Sequence, residues 1–98
     1  MAEYILFKVS SGEEVIGEDL GVSTDNGDDC RRVKSPRMLI MQQGPEGIQV
    51  GILPYSGGDP DGVHVFQLAS IVSRAELTSK HLEDLYIQNT SQIQLVSG

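Results

Sequence analysis

Before Gly62 the chain cannot run a dozen residues without meeting a glycine or a proline. Helices of ordinary length do not survive such punctuation. Short strands and tight turns do. The segments between the breaks agree. Tyr4–Val9, YILFKV, is β-branched, aromatic and mostly apolar, and Ser10-Ser11-Gly12 turns the chain after it. Glu13–Val22 carries Val15, Leu20 and Val22, broken by Gly17 and Gly21, a pattern suited to a strongly bent or bulged strand. Asn26-Gly27 is a strong hairpin signal. Cys30–Lys34 forms a third segment, which Ser35-Pro36 breaks from a fourth, Arg37–Gln43. Gly44-Pro45-Glu46-Gly47 turns the chain so that Ile48–Tyr55 pairs with Met38–Gln43. A polar loop, Ser56–Gly62, leads into a last strand, Val63–Val72.

The period then changes. Leu82, Leu85, Tyr86, Asn89 and Ile93 recur at helical spacing and form one face of an amphipathic helix. Thr78 is the expected N-cap, with Leu77 and Leu82 placed as a hydrophobic staple. The expectation is one domain, with five or six strands over residues 3–77 and a helix over about 79–93. At 98 residues there is no room for a second core. A chain of this size buries only about 60–65% of its unfolded surface, so a subunit interface would add stability.

The charge excludes more than it suggests. Seven basic residues face fourteen acidic ones, giving −7. That balance disfavours a generic nucleic-acid or anionic-membrane coat. Residues 1–29 hold eight acids and only Lys8, whereas RRVKSPR at 31–37 holds four bases and no acid. Arg31, Arg32, Lys34 and Arg37 are therefore candidate phosphate contacts on a strand and turn. The alternative is that they neutralise the acidic segments beside them.

Nothing else assembles into a catalytic or metal-binding set. Glu13-Glu14, Glu18-Asp19 and Asp28-Asp29 are adjacent pairs, and adjacent strand residues point to opposite faces. Asp25–Asp29 has its glycine at the third position, unlike a calcium loop, and reads as a hairpin turn. His64 and His81 lack partners at zinc-ligand spacing. Cys30 is the single cysteine, so no internal disulfide forms. Its neighbours Arg31 and Arg32 could activate the thiol, but no histidine is placed to act as its base. No enzymatic activity and no cofactor is expected. No apolar run is long enough to span a membrane, and the N-terminus lacks the features of a signal peptide, which points to the cytoplasm.

Phe7–Leu20, FKVSSGEEVIGEDL, resembles the first half of the Sm1 motif of Sm and Sm-like proteins. There a strand ends in a polar turn with glycine, and a second glycine follows five positions later. One glycine makes the turn; the other lets the next strand bend around a small barrel. Val65–Val72, VFQLASIV, is similar in pattern to the Sm2 strand of the bacterial Sm-like RNA chaperones. Leu85–Ser91, LYIQNTS, resembles the tail helix of short Sm-like proteins from tailed phages of marine bacteria. Residues 43–62 have no counterpart.

The resemblance implies a mostly β fold: a small, strongly bent, five-stranded antiparallel Sm-like barrel with a C-terminal helix. It implies a homo-oligomeric ring of about five to seven copies, because ring closure removes the open edges of such a barrel. It also implies single-stranded RNA as a ligand, in the host cytoplasm if the chain is phage-encoded. Arg31, Arg32, Lys34 and Arg37 would then meet phosphates, with Asn26 and Gln67 nearer the pore. Gln67-Leu68 stand where the family has Arg-Gly or Lys-His, and Asp25 and Asn26 stand at a different spacing from the family's Asp-x-x-x-Asn. The alternative is an acidic ring that docks a partner protein and binds no RNA.

Overall fold

The computed structural model describes residues 3–96, excluding the side chains of Asp25 and of residues 91–96. Six strands precede one helix: β1 (Tyr4–Val9), β2 (Glu14–Asp25), β3 (Asp28–Gly44), β4 (Gly47–Pro54), β5 (Val63–Gln67), β6 (Ile71–Glu76) and α1 (Lys80–Val96). A single 3₁₀ turn, Leu68–Ser70, separates β5 from β6. Every strand pair is antiparallel.

The sheet runs β4-β3-β2-β1-β6, and β5 also pairs with β3. The six strands fall within the five or six read from the segments and exceed the five that the Sm-like resemblance implies, and the sheet does not close into a barrel. No ladder joins β5 to β6 among the described residues, so the sheet stays open, and its longest strand is β3. It is 17 residues long and needs two partners on one side. Its first part pairs with β5 and its second with β4. Ser35-Pro36, expected to end a strand, is instead the place where β3 changes partner. Ser35 sits at φ 53 there, and its N–H still donates to the Gly62 carbonyl at 2.9 Å. The expected strand Val63–Val72 is likewise divided by the 3₁₀ turn into β5 and β6.

The curl of the sheet follows from its connections. Along the path β5-β3-β2-β1-β6, β5 and β6 lie at opposite ends. Yet only Leu68–Ser70 separates them in the chain. A flat sheet cannot place its two ends that close, so the five strands wrap around. Phe7 of β1 and Phe66 of β5 meet edge to face across the interior, with ring centroids 5.0 Å apart. Ile5, Phe7, Val9, Val15, Val33 and Phe66 fill this interior, and Ile71 packs against them.

Two irregularities in the β2–β3 ladder let the sheet bend, one between Ile16 and Glu18 and one between Asp19 and Val22. Gly17 and Gly21 lie at these points, as the bent-strand reading expects. At Gly17 the two strands approach too closely for a side chain. A Cβ there would overlap Val33 Cγ1 and stand 3.3 Å from the Lys34 carbonyl oxygen. Asn26 and Gly27 take φ of 52° and 85°, the left-handed values that the tight β2–β3 hairpin requires.

The helix covers the outer face. Register places Leu6, Ile16 and Arg37 in one row there, with Tyr4, Glu18 and Lys34 in the next. Tyr86 of α1 stacks edge-on against Tyr4 at 5.4 Å, and Ile16 is fully buried. Thus the helix packs on its own sheet. Its N-cap is Ser79, one residue later than the expected Thr78. The Ser79 hydroxyl accepts the Leu82 N–H at 3.3 Å, and its carbonyl accepts the Glu83 N–H at 3.1 Å. The helical position of Ile93 agrees with the expectation; its side chain lies outside the described residues. No helix among the described residues is long and apolar enough to cross a membrane.

Candidate nucleic-acid interface

The basic run 31–37 does not present four bases on one surface. Strand alternation divides it, and two of its arginines turn into the molecule. Arg31 shares the inner face with Val33 and Phe66, and only 8% of it is exposed. Its Nη1 donates to Asp19 Oδ2 at 2.5 Å. Asp19 Oδ1 in turn accepts the Gly21 N–H at 2.9 Å, so one carboxylate holds both the arginine and the β2 bulge. Arg31 Nε is buried without a partner among the described residues. Arg31, Asp19 and Arg74 line an open groove of about 470 Å³ beside the start of β1 and the end of β6.

Arg37 is buried on the outer face, beneath the helix, with 2% of its surface exposed. Its Nε donates to Asn89 Oδ1 at 2.6 Å and its Nη2 to Asp61 Oδ1 at 2.7 Å. Nη1 donates to the Pro60 carbonyl. One guanidinium therefore ties together β3, the loop before β5 and α1. Beside it the Tyr86 hydroxyl donates to the Lys34 and Ser35 carbonyls, 3.0 Å from each. Burial pushes the Tyr86 pKa up to about 12, outweighing the Arg37 charge, which acts in the opposite direction.

Arg32 and Lys34 are exposed. They lie on the outer face of β3, opposite Val65 and Val63 of β5, with Gln67 opposite Cys30 on the same face. Lys34 also registers against Glu18 of β2. Gln67, Arg32 and Lys34 thus share one exposed face, interleaved with the exposed Val65 and Val63. Asn26 is exposed at the β2–β3 turn, on the far side of Cys30. The structure therefore brings together three of the six sequence candidates and buries two of the others in internal ion pairs.

The remaining sequence candidates are simpler. Cys30 is a buried free thiol that donates weakly to the Asp28 carbonyl. His64 Nε2 lies 2.8 Å from the Asp59 carbonyl oxygen, and His81 is exposed. Glu13 is fully exposed; the Ser11 hydroxyl bonds to it and holds its carboxyl below the usual range. No group of acidic, histidine or cysteine residues among those described could hold a metal ion.

Sequence reasoning overlooked Asp61 and Asn89, the partners of Arg37. Asp61 does not stand out by type or spacing, whereas Asn89 stands at helical spacing with Leu82, Leu85 and Tyr86. The one available signal was Asn89 on the apolar face of the helix, where a polar residue needs a partner. The chain matches no family model and no curated protein.

Proposed function

We propose that the chain is an Sm-like interaction protein whose copies join head to tail into a ring of about five to seven subunits. The observation that carries this reading is the pair of open strand edges at the two ends of the curled sheet. β5 and β6 have no partner strand on their outer sides among the described residues. The Ser35 N–H to Gly62 carbonyl bond sets the phase of the β3–β5 ladder. Val63 and Val65 therefore turn their backbone N–H and C=O groups outward. Their side chains are exposed, as is Val72 on β6. Pairing β5 of one copy with β6 of the next joins two different surfaces, and the curl turns each addition toward closure.

The ring's partner on this reading is a basic protein surface. Acids outnumber bases two to one, and Arg31 and Arg37 are consumed inside the fold. A second reading rests on the face that Gln67, Arg32 and Lys34 share, which would offer two phosphate contacts and an amide to single-stranded RNA in each subunit.

Light scattering tests both. The native chain is expected to give a ring mass, and Val65→Pro, which removes an outward N–H and no internal bond, is expected to lower it. A monomeric native chain overturns the ring. Short U-rich and A-rich RNAs are expected to leave the mass unchanged. Binding that weakens with salt by a log–log slope of about −1.4 per subunit, and disappears in Arg32→Glu/Lys34→Glu, would favour RNA instead.

A further inference from the structure

We infer that β4 is a second assembly edge, which pairs antiparallel with β4 of another copy across a two-fold axis. This does not depend on the ring, since it uses another edge and other residues.

The β3–β4 hairpin is anomalous as protein surface. Between Arg37 and Tyr55 it carries one charge, Glu46 in the turn. β4 is an edge strand, paired among the described residues only with β3. Edge strands are normally protected by charge, an internal proline or a bulge. β4 has no charge, its proline is its last residue, and its register against β3 is unbroken. Ile48 at its start is 71% exposed, and Met41 across from Val50 is 66% exposed.

The backbone shows which atoms are free. The Tyr55 N–H donates to the Pro36 carbonyl at 3.1 Å. Continued through the register, this places residues 49, 51 and 53 in hydrogen-bonded pairs with β3. Ile48, Val50 and Ile52 then direct their N–H and C=O groups away from β3. Their side chains share one face of the ribbon with Leu39 and Met41.

These residues also identify the occupant. Centred on Val50, an antiparallel copy sets Ile48 against Ile52 of the partner strand and Val50 against its own counterpart. Each of these three positions then faces a β-branched residue, the preferred kind of cross-strand pair. About six backbone hydrogen bonds form across the axis. A second copy of a chain with net charge −7 meets repulsion over most of its surface. Here it meets none. The contact is isologous and closes at two copies, so it joins pairs of chains, or two rings if rings form.

Native mass spectrometry of the full chain tests this. The native mass is expected to be an even multiple of the monomer. Val50→Pro removes an outward N–H and spares every bond to β3, so it is expected to halve the mass with the circular dichroism unchanged. Ile48→Lys/Ile52→Lys, which places lysines opposite each other, is expected to do the same. Ile48→Lys/Ile52→Glu, which places opposite charges together in this register and no other, is expected to keep the native mass. An odd native multiple, or a folded Val50→Pro protein of undiminished mass, overturns the proposal. Val65→Pro separates the two edges: it lowers a ring mass and leaves the β4 pair intact.

Discussion

Arg37 Nε donates to Asn89 Oδ1 at 2.6 Å, joining the point where β3 changes partner to the middle of the C-terminal helix, 52 residues away. The same guanidinium holds Asp61 and the Pro60 carbonyl, so removing it leaves several groups unmatched at once. Asp61 is partly exposed and recovers some hydration. Arg37→Met is therefore expected to cost about 2–4 kcal/mol, and Asn89→Ala about 1 kcal/mol, in urea unfolding. Arg37→Lys should resemble Arg37→Met, because an ammonium cannot span three partners in fixed directions. Equal stabilities for Arg37→Met and Asn89→Ala would mean that the helix contact is the only one that matters.

Gly17 and Val33 face each other where β2 and β3 come closest. Gly17→Ala drives its new methyl group into Val33 Cγ1, and the Lys34 carbonyl on the other side limits any retreat. The expected loss is about 1–3 kcal/mol. Val33→Ala alone opens a cavity at a cost of about 2 kcal/mol. In the double variant the new methyl occupies part of that space, so the combined loss should fall short of the sum by at least about 0.5 kcal/mol. Strict additivity would show that the strands separate instead.

These two contacts mark how far the fold was legible in the sequence. Local signals were readable: the Asn26-Gly27 turn, the Met38–Gln43 pairing with Ile48–Tyr55, the bend at Gly17 and Gly21, and the change of period into the helix. Each depends on neighbours a few residues apart. Ser35-Pro36 looked like a terminator because a proline usually ends a strand. Here β3 survives by changing partners at that point, which requires Gly62 and Pro54 to arrive from elsewhere. Along the chain the basic run 31–37 is one strip of charge; in the fold it is not. Alternation sends Arg31 inward and Arg32 outward, and the acids that capture Arg31 and Arg37 lie at 19 and 61. Arg32 and Lys34 share a face by the same alternation, but Gln67 joins them only because β5 pairs with β3, a register that no local pattern specifies.

Tyr86 gives the fold an alkaline limit. In the native state its pKa is raised to about 12 by burial, against 10.0 for an ordinary tyrosine. Between those values the unfolded chain loses the phenol proton while the native chain keeps it. The native state then binds more protons, so stability falls as pH rises through this window and is unaffected by Tyr86 below it. Tyr86→Phe should lower stability at pH 8, by about 1–2 kcal/mol for the lost bonds to the Lys34 and Ser35 carbonyls. It should also flatten the decline between about pH 10 and 12. Thermal unfolding across pH 8–12 measures both; parallel curves for the two proteins would remove Tyr86 as the cause.

Arg31 and Asp19 predict a different kind of coupling. The pair is largely desolvated, and Arg31 Nε has no acceptor among the described residues, so part of the cost of burying the charge is uncompensated. Arg31→Met leaves the Asp19 carboxylate beside the core without its cation. A loss of about 2–4 kcal/mol is expected. Arg31→Met/Asp19→Leu removes both charges and fills the space with apolar atoms, at the cost of the Asp19 bond to the Gly21 N–H. The double variant is expected to recover at least half of the single loss, and its mass in solution should match that of the native chain. A double variant weaker than Arg31→Met would mean that Asp19 acts chiefly on the β2 bulge. Recovered stability with a collapsed mass would place Arg31 in a subunit contact, since the groove it lines opens beside β6.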